Sequence, residues 1–187
     1  MMNHYNTSEH TQNTRNLVQV ENQIDTSPVV QIPLYLGLIL TIGVVPLFIH
    51  SQWVTGVLVN FILIFTCLKL GIRAALPLTF VPSIAAVISG LFPLALAAMI
   101  PFIMAGNILL ILVIHYFKYN YLVALSIAAF AKFAFLYSAS HFLAQYFLPE
   151  TFLDKVMLMM SWPQFATAMV GGLFAALVVN GLSFTGK

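Results

Sequence analysis

Acidic residues and cysteine are scarce in this chain, and both scarcities narrow its possible functions. Only 5 of its 187 residues are Asp or Glu, and none of them lies in a long apolar segment. Intramembrane metalloproteases and proton-driven carriers depend on carboxylates or histidine clusters within the membrane, so the sequence disfavours both classes. Cys67 is the single cysteine, which excludes an intrachain disulfide, a cysteine-only zinc site and an iron–sulfur cluster held by this chain alone. We expect no metal and no other cofactor.

Charge of either sign is low throughout. Charged residues make up 6% of the chain and hydrophobic residues 61%, whereas soluble domains have about a quarter charged residues. This composition predicts an integral membrane protein embedded in the lipid bilayer. The net charge is only +2 and the basic residues occur singly, so we expect no nucleic-acid partner.

The chain divides into a polar segment and an apolar one. Residues 1–31 are rich in Asn, Thr, Gln and Ser and have no sustained apolar run, which is typical of a disordered tail. The sequence predicts an all-α integral membrane protein. Residues 32–183 are expected to form its six-helix transmembrane bundle, which is the substrate-binding domain. The predicted spans are 32–49, 53–69, 74–91, 96–117, 121–147 and 162–181.

The third predicted span is interrupted by Pro77 and Pro82. A kinked helix is tolerated within a bundle because neighbouring helices can satisfy the freed carbonyls. The second and third segments also fit one long broken element, although Lys69, Gly71 and Arg73 between them favour a cytoplasmic turn.

Basic residues in the short loops predict the orientation in the membrane. With the amino terminus inside, the outer loops contain only Lys155, beside Glu150 and Asp154. The predicted inner residues are Arg15, Lys69, Arg73, Lys118 and Lys187. We therefore expect both termini in the cytoplasm and a multi-pass location in the cell (inner) membrane.

The fifth predicted span contains a polar stripe in its outer half. Ser138, His141 and Gln145 lie three and four residues apart, with Tyr137 at the margin, so a helix places them on one face. Such groups can orient a ligand in a mostly apolar cavity, or they can form interhelical hydrogen bonds. Adjacent Ser140 and His141 point about 100° apart on a helix, which disfavours a nucleophile and base pair and an enzymatic function.

The stretch MSWPQF, residues 160–165, opens the sixth span. Ser161 and Gln164 have the spacing of a capping box, with a proline in the first turn. Trp162 and the helix amides at the outer surface also suit a polar or anionic ligand group. Gln164 and Thr167 continue down one face, which favours a stripe directed into the bundle.

Two further groups of polar residues are candidates for a binding site. Asn107 in the fourth span is costly to leave unpaired in lipid; it fits the lining of a cavity, but a bond to a neighbouring backbone group is the favoured interpretation. His50, Gln52 and Trp53 lie in the outer turn after the first span. They fit either an interfacial position or part of a lid.

Lys132 lies in the middle of the fifth span, 11 residues past Tyr121, or about 16 Å along a helix. Helical projection places it opposite His141, so the two belong to different faces. A buried lysine without an acidic partner is neutral, bonded to backbone carbonyls, or awaiting an anion from a ligand or another subunit. We expect its replacement by methionine to impair transport or assembly more than ligand capture.

The order of these apolar segments resembles the substrate-binding S components of energy-coupling factor (ECF) transporters. The similarity extends over nearly all of residues 32–181. The stretches on which it rests are LPLT and VPSIAAVISGLFP within residues 76–93, MIPFIMAGNILLILVIHYF (99–117), YNYLVALSIAAFAKF (119–133) and MMSWPQFATAMVGGLFAAL (159–177).

This resemblance implies a substrate-capture subunit for a vitamin or other micronutrient. Such proteins have six membrane helices and work with a transmembrane coupling subunit and ATP-hydrolysing subunits. The chain has no GxxxxGK[ST] phosphate loop, as expected where other chains bind ATP. The resemblance places the ligand at the outer halves of the later helices and at the first outer turn, which correspond here to His141, Gln145, Gln164 and the segment His50 to Trp53.

The first helix departs from the pattern by which members of this family dock on a coupling subunit. Many members have two alanines four residues apart in the first helix, where this chain has Gly37 and Thr41. The sequence leaves two other classes open: a structural or assembly membrane protein without a ligand, and a stand-alone carrier for small solutes.

Overall fold

The computed structural model describes residues 28–49, 51–88, 98–117, 120–146 and 150–184, and within these ranges all regular structure is helical. The predicted tail, apart from its last residues, lies outside the described part. The helices are α1 (Pro28–Phe48), α2 (Gln52–Leu70), α3 (Ile72–Leu78), α4 (Val81–Ile88), α5 (Ile100–Tyr116), α6 (Tyr121–Tyr146), α7 (Glu150–Met159) and α8 (Trp162–Phe184). The all-α prediction is confirmed.

Within the described residues, four helical segments are long and apolar enough to cross a membrane. They are Val29–Phe48, Gln52–Leu70, Tyr121–Leu143 and Val156–Gly181, while α5 and the α3–α4 unit are shorter apolar helices. By length and composition the chain is therefore a multi-span helical membrane protein. The six predicted spans correspond to α1, α2, α3 with α4, α5, α6 and α8.

The third predicted span is broken in two, as its prolines suggested. α3 ends at Leu78, and the Thr79 hydroxyl donates to Leu76 O at 2.6 Å before α4 begins at Val81. Gly71 separates α2 from α3 with a φ of 86°, a left-handed conformation that glycine adopts without steric cost. The second and third spans are therefore separate elements.

Two boundaries differ from the prediction. α1 begins at Pro28, inside the segment predicted to be tail, and proline is well suited to a first helical turn. Residues 150–159, predicted to lie mainly in a loop, form α7. Its inner side is apolar, and Val156 packs in a buried cluster with Met99 and Leu136, which explains why this segment is helical.

The centre of the bundle is the contact between α2 and α8. A Cβ on Gly171 of α8 would lie 2.7 Å from Val57 O and 2.8 Å from Phe61 N, so the two backbones approach each other closely there. α6 packs on α8 through small buried side chains that include Ala128 and Ala168. α1 is peripheral, and many of its apolar side chains are exposed, as expected for a surface that faces lipid.

Candidate functional site

Lys132 is bonded inside the bundle by two asparagine side chains. Only 3% of its surface is exposed. Its Nζ donates to Asn60 Oδ1 of α2 at 2.7 Å and to Asn107 Oδ1 of α5 at 2.8 Å. Both distances are within the range of well-formed N–H···O hydrogen bonds.

The network continues to a fourth helix. Asn60 Nδ2 donates to Thr167 Oγ1 of α8 at 3.3 Å, and Asn60, Asn107 and Thr167 are each at most 2% exposed. At 1.5 Å per residue, Asn60 and Asn107 lie about 10 to 12 Å from the amino-terminal ends of their helices, which are the predicted outer ends. We call Lys132, Asn60, Asn107 and Thr167 the lysine network.

One interpretation of these residues was wrong. Asn107 was expected to bond a neighbouring backbone group, but its carboxamide oxygen accepts from Lys132. For Lys132 the sequence left three states open: neutral, bonded to backbone carbonyls, or awaiting an anion. In the structure two side-chain oxygens of this chain accept its hydrogen bonds, while a neutral state and a pairing with an anion stay predictions. Asn60 was missed, although it is an amide in the middle of an apolar span and the argument applied to Asn107 applies to it equally.

The predicted outer-turn residues meet the start of the last helix. Gln52 Nε2 donates to Met159 O at 2.7 Å, and Gln164 Nε2 donates to the same oxygen at 3.1 Å. The rings of Trp53 and Trp162 lie 5.0 Å apart between centroids. Segments more than a hundred residues apart in sequence are therefore joined at this end of the bundle, which we call the outer junction.

The predicted capping box does not form. Ser161 Oγ donates backwards to Leu158 O at 2.7 Å, and the Gln164 side chain bonds Met159 O rather than the amide of Ser161. Gln164 thus links the first turn of α8 to the end of α7, and the same Met159 carbonyl also accepts from Gln52 of α2. The prediction that Gln164 and Thr167 face the bundle agrees with the contacts of both residues.

The predicted stripe on α6 is only partly directed inward. Ser138 and Tyr137 are exposed, while the His141 ring packs against Tyr137 with centroids 4.4 Å apart. His141 Nε2 is buried without a hydrogen-bond partner in the described part of the chain. His50 and the side chain of Gln145 lie outside the described part, so their predicted roles stay predictions.

An apolar cluster lies next to the lysine network, towards the predicted outer end of the bundle. Leu136 lies one turn outward from Lys132 on the same helical face. It packs with Met99, Met160 and further buried residues contributed by α6 and α7. The network is therefore enclosed by helices on its flanks and by apolar side chains towards the outer end.

An open groove runs along the surface between α2 and α8. Its volume is about 550 Å³. The lining is almost wholly apolar and consists of Trp53, Val54, Val57, Leu58, Phe61, Phe174 and Val178. No member of the lysine network lines this groove.

The proposed docking pair on α1 is accessible but differs from an alanine pair. Gly37 is exposed and has open space around its Cα. The Thr41 hydroxyl donates to Gly37 O at 2.7 Å, which satisfies it within the helix. The surface around both residues is smooth and apolar, and their docking role stays a prediction.

Comparisons with known proteins add no family or relative: no protein-family model, no curated protein and no solved structure matches the chain. Within the described residues, no group of three or more His, Cys, Asp or Glu side chains is placed to hold a metal ion. The candidate site is thus defined by the lysine network and the outer junction.

Proposed function

We propose that this chain is the membrane-embedded substrate-capture subunit of an ECF-type importer for a vitamin or other micronutrient. The observation that favours it most is the lysine network, in which four helices direct an ionisable group and three polar side chains into the bundle. Ionisable residues within a membrane are costly and mark substrate pathways more often than they mark simple packing.

The outer junction supports the same function. Gln52 and Trp53 from the first outer turn meet Trp162 and Gln164 from the last helix. The basic residues assign this end to the outside of the cell. A site built from two distant segments at the outer end is well placed to receive a solute before it moves deeper into the bundle.

In this function the chain binds the solute, and other subunits supply the energy for its uptake. A transmembrane coupling subunit and ATP-hydrolysing subunits would drive uptake, because the sequence has no phosphate-binding loop of the GxxxxGK[ST] type. The proposed function gives no catalytic role to any residue of the chain.

Small-molecule analysis of the purified protein tests the proposal. The full chain is purified from membranes in mild detergent and denatured, and the released molecules are quantified by mass spectrometry. We expect one small solute per chain from the wild type and less from Gln164→Ala and His141→Ala. Thr66→Val is the matched control, because the buried Thr66 hydroxyl bonds only within α2, to Ile62 O at 2.7 Å. No solute in any preparation would contradict the proposal.

Uptake by sealed vesicles separates an importer subunit from a stand-alone carrier. Vesicles containing this chain alone should not accumulate the solute identified above, whereas vesicles that also contain coupling and ATPase subunits should do so when supplied with ATP. Accumulation by the chain alone would favour a carrier.

The alternative function is a structural or assembly membrane protein. It is favoured by the fact that each member of the lysine network finds a hydrogen-bond partner inside the chain, since polar side chains also hold membrane helices together. Under this alternative no solute is released, and substitutions in the network change stability alone.

A further inference from the structure

Lys132 has hydrogen-bond partners but no counter-charge. Asn60 and Asn107 are neutral amides. Between Asp25 and Glu150, and again after Asp154, the sequence contains no Asp or Glu. The spans therefore cannot supply the carboxylate that normally accompanies a buried ammonium group.

The position of Lys132 indicates where a counter-charge can come from. Its side chain points into the interior, between α2 and α5, and is 3% exposed. An acidic side chain of another subunit would have to enter between packed helices to reach it. A small molecule that enters from the predicted outer end would meet the buried apolar cluster around Leu136.

That cluster is suited to such an exchange. It contains Met99 and Met160, and Met159 packs against it. Methionine side chains are unbranched and polarisable, so they repack around ligands of irregular shape. Met99 and Met160 precede Asn107 and Thr167 by eight and seven residues, so they lie about 10 to 12 Å from the level of the ammonium group, towards the predicted outer end.

We infer that the captured substrate is a small organic anion, whose anionic group pairs with Lys132 while its apolar body lies among Met99, Leu136 and Met160. This inference rests on the proposed function and names the chemical class of its substrate. Asn60 and Asn107 hold the ammonium group in place when no anion is bound. The anion replaces one of these amide oxygens.

Asn107→Asp is the decisive variant. It places a carboxylate where the amide oxygen now lies, 2.8 Å from Lys132 Nζ, so an internal ion pair occupies the position of the substrate anion. Lys132→Met removes the ammonium group, and Thr66→Val is again the control for loss of a buried hydroxyl within one helix. The full chain is stripped by washing in detergent, incubated with the small-molecule extract of the producing cells and analysed by mass spectrometry in both ionisation modes.

We expect the wild type and Thr66→Val to hold one organic anion per chain. Occupancy should fall about tenfold or more in Asn107→Asp and in Lys132→Met, because each abolishes the ion pair between Lys132 and the substrate anion. For Lys132→Met this is the opposite of the sequence-based expectation that ligand capture is the less impaired step. Asn107→Asp should melt at or above the temperature of the stripped wild type, which shows that its loss of ligand is not misfolding.

Several results would overturn the inference. A neutral or cationic solute would contradict the anionic class of the substrate while leaving the capture function intact. An anion retained at full occupancy by Asn107→Asp would contradict its pairing with Lys132, again without affecting the capture function. A phospholipid as the bound anion refutes the inference too, since its two chains do not fit inside the bundle. A lowered melting temperature of Asn107→Asp refutes the assigned pairing. If the wild type binds nothing from the extract, both the inference and the proposed function fail.

Discussion

Lys132 of α6 and Asn107 of α5 are joined by a 2.8 Å hydrogen bond in the interior of the bundle. The two helices pack against each other along their length, and Leu136 fills the space left by Gly106 one turn further out. The polar bond and the apolar contact therefore fix the same helix pair. Any movement of α5 relative to α6 must break or replace the lysine bond.

The strength of that bond is measurable by a double-mutant cycle on Lys132→Met and Asn107→Leu. Side-chain hydrogen bonds in membrane proteins contribute about 0.6 to 2 kcal/mol, so we expect a coupling free energy in that range. Reversible unfolding in mixed detergent provides the four free energies. Thr66→Val combined with Lys132→Met supplies the control pair and should show no coupling, since Thr66 bonds only within its own helix. If the effects of Lys132→Met and Asn107→Leu were as additive as those of the control pair, the hydrogen bond between Lys132 and Asn107 would be contradicted.

Gly171 is predicted to be essential for the contact between α2 and α8. In Gly171→Ala the new methyl group would meet backbone atoms, Val57 O at 2.7 Å and Phe61 N at 2.8 Å. Backbone cannot move aside as a flexible side chain can, so we expect a loss of about 1 to 3 kcal/mol in the free energy of unfolding. Gly37→Ala on α1 is the matched control, with open space around its Cα, and should be neutral or slightly stabilising. Equal stability of the two variants would contradict the close approach.

Gln52 and Gln164 share one acceptor, and their contributions should be non-additive. Each donates to Met159 O, so a single alanine substitution leaves that carbonyl with one donor, whereas the double substitution removes both. We expect each single variant to lose about 0.5 to 1.5 kcal/mol and the double variant to lose more than the sum. Thermal unfolding of the three variants tests this, and simple additivity would show that the carbonyl is satisfied in another way.

Composition and periodicity predicted most of the fold but little of the network. The all-α class and the break near Pro77 follow from apolar length and proline chemistry, which are local properties of the sequence. The partners of Lys132 do not, because helical projection gives the face of a residue but not which helix packs against that face. Asn60 and Asn107 are 47 residues apart in sequence, and only the packing of α2 and α5 on α6 brings them to one ammonium group.

At the outer junction, too, the sequence predicted the positions of residues but not their bonding partners. The positions of Gln52, Trp53, Trp162 and Gln164 at helix starts were readable from the sequence, and so was their location at one end of the bundle. The local pattern at Ser161 nevertheless led to the wrong partner for Gln164. A capping box would direct the Gln164 side chain back to its own helix start, whereas in the structure it donates to Met159 O, which Gln52 of α2 also bonds. The local pattern did not indicate that shared acceptor.

The two tryptophans provide a direct test of the orientation in the membrane. Trp53 and Trp162 are the only tryptophans in the chain, and both lie at the outer junction, 45% and 58% exposed. Indole rings favour the headgroup region, so lipids labelled with a quencher near the headgroup should reduce the fluorescence more than lipids labelled near the bilayer centre.

In sealed vesicles of right-side-out orientation, iodide added outside should quench both rings, because the basic residues predict that this end lies outside. Trp53→Phe should retain the behaviour through Trp162 alone. Stronger quenching from the bilayer centre would contradict the depth, and quenching only by iodide trapped inside would reverse the predicted topology.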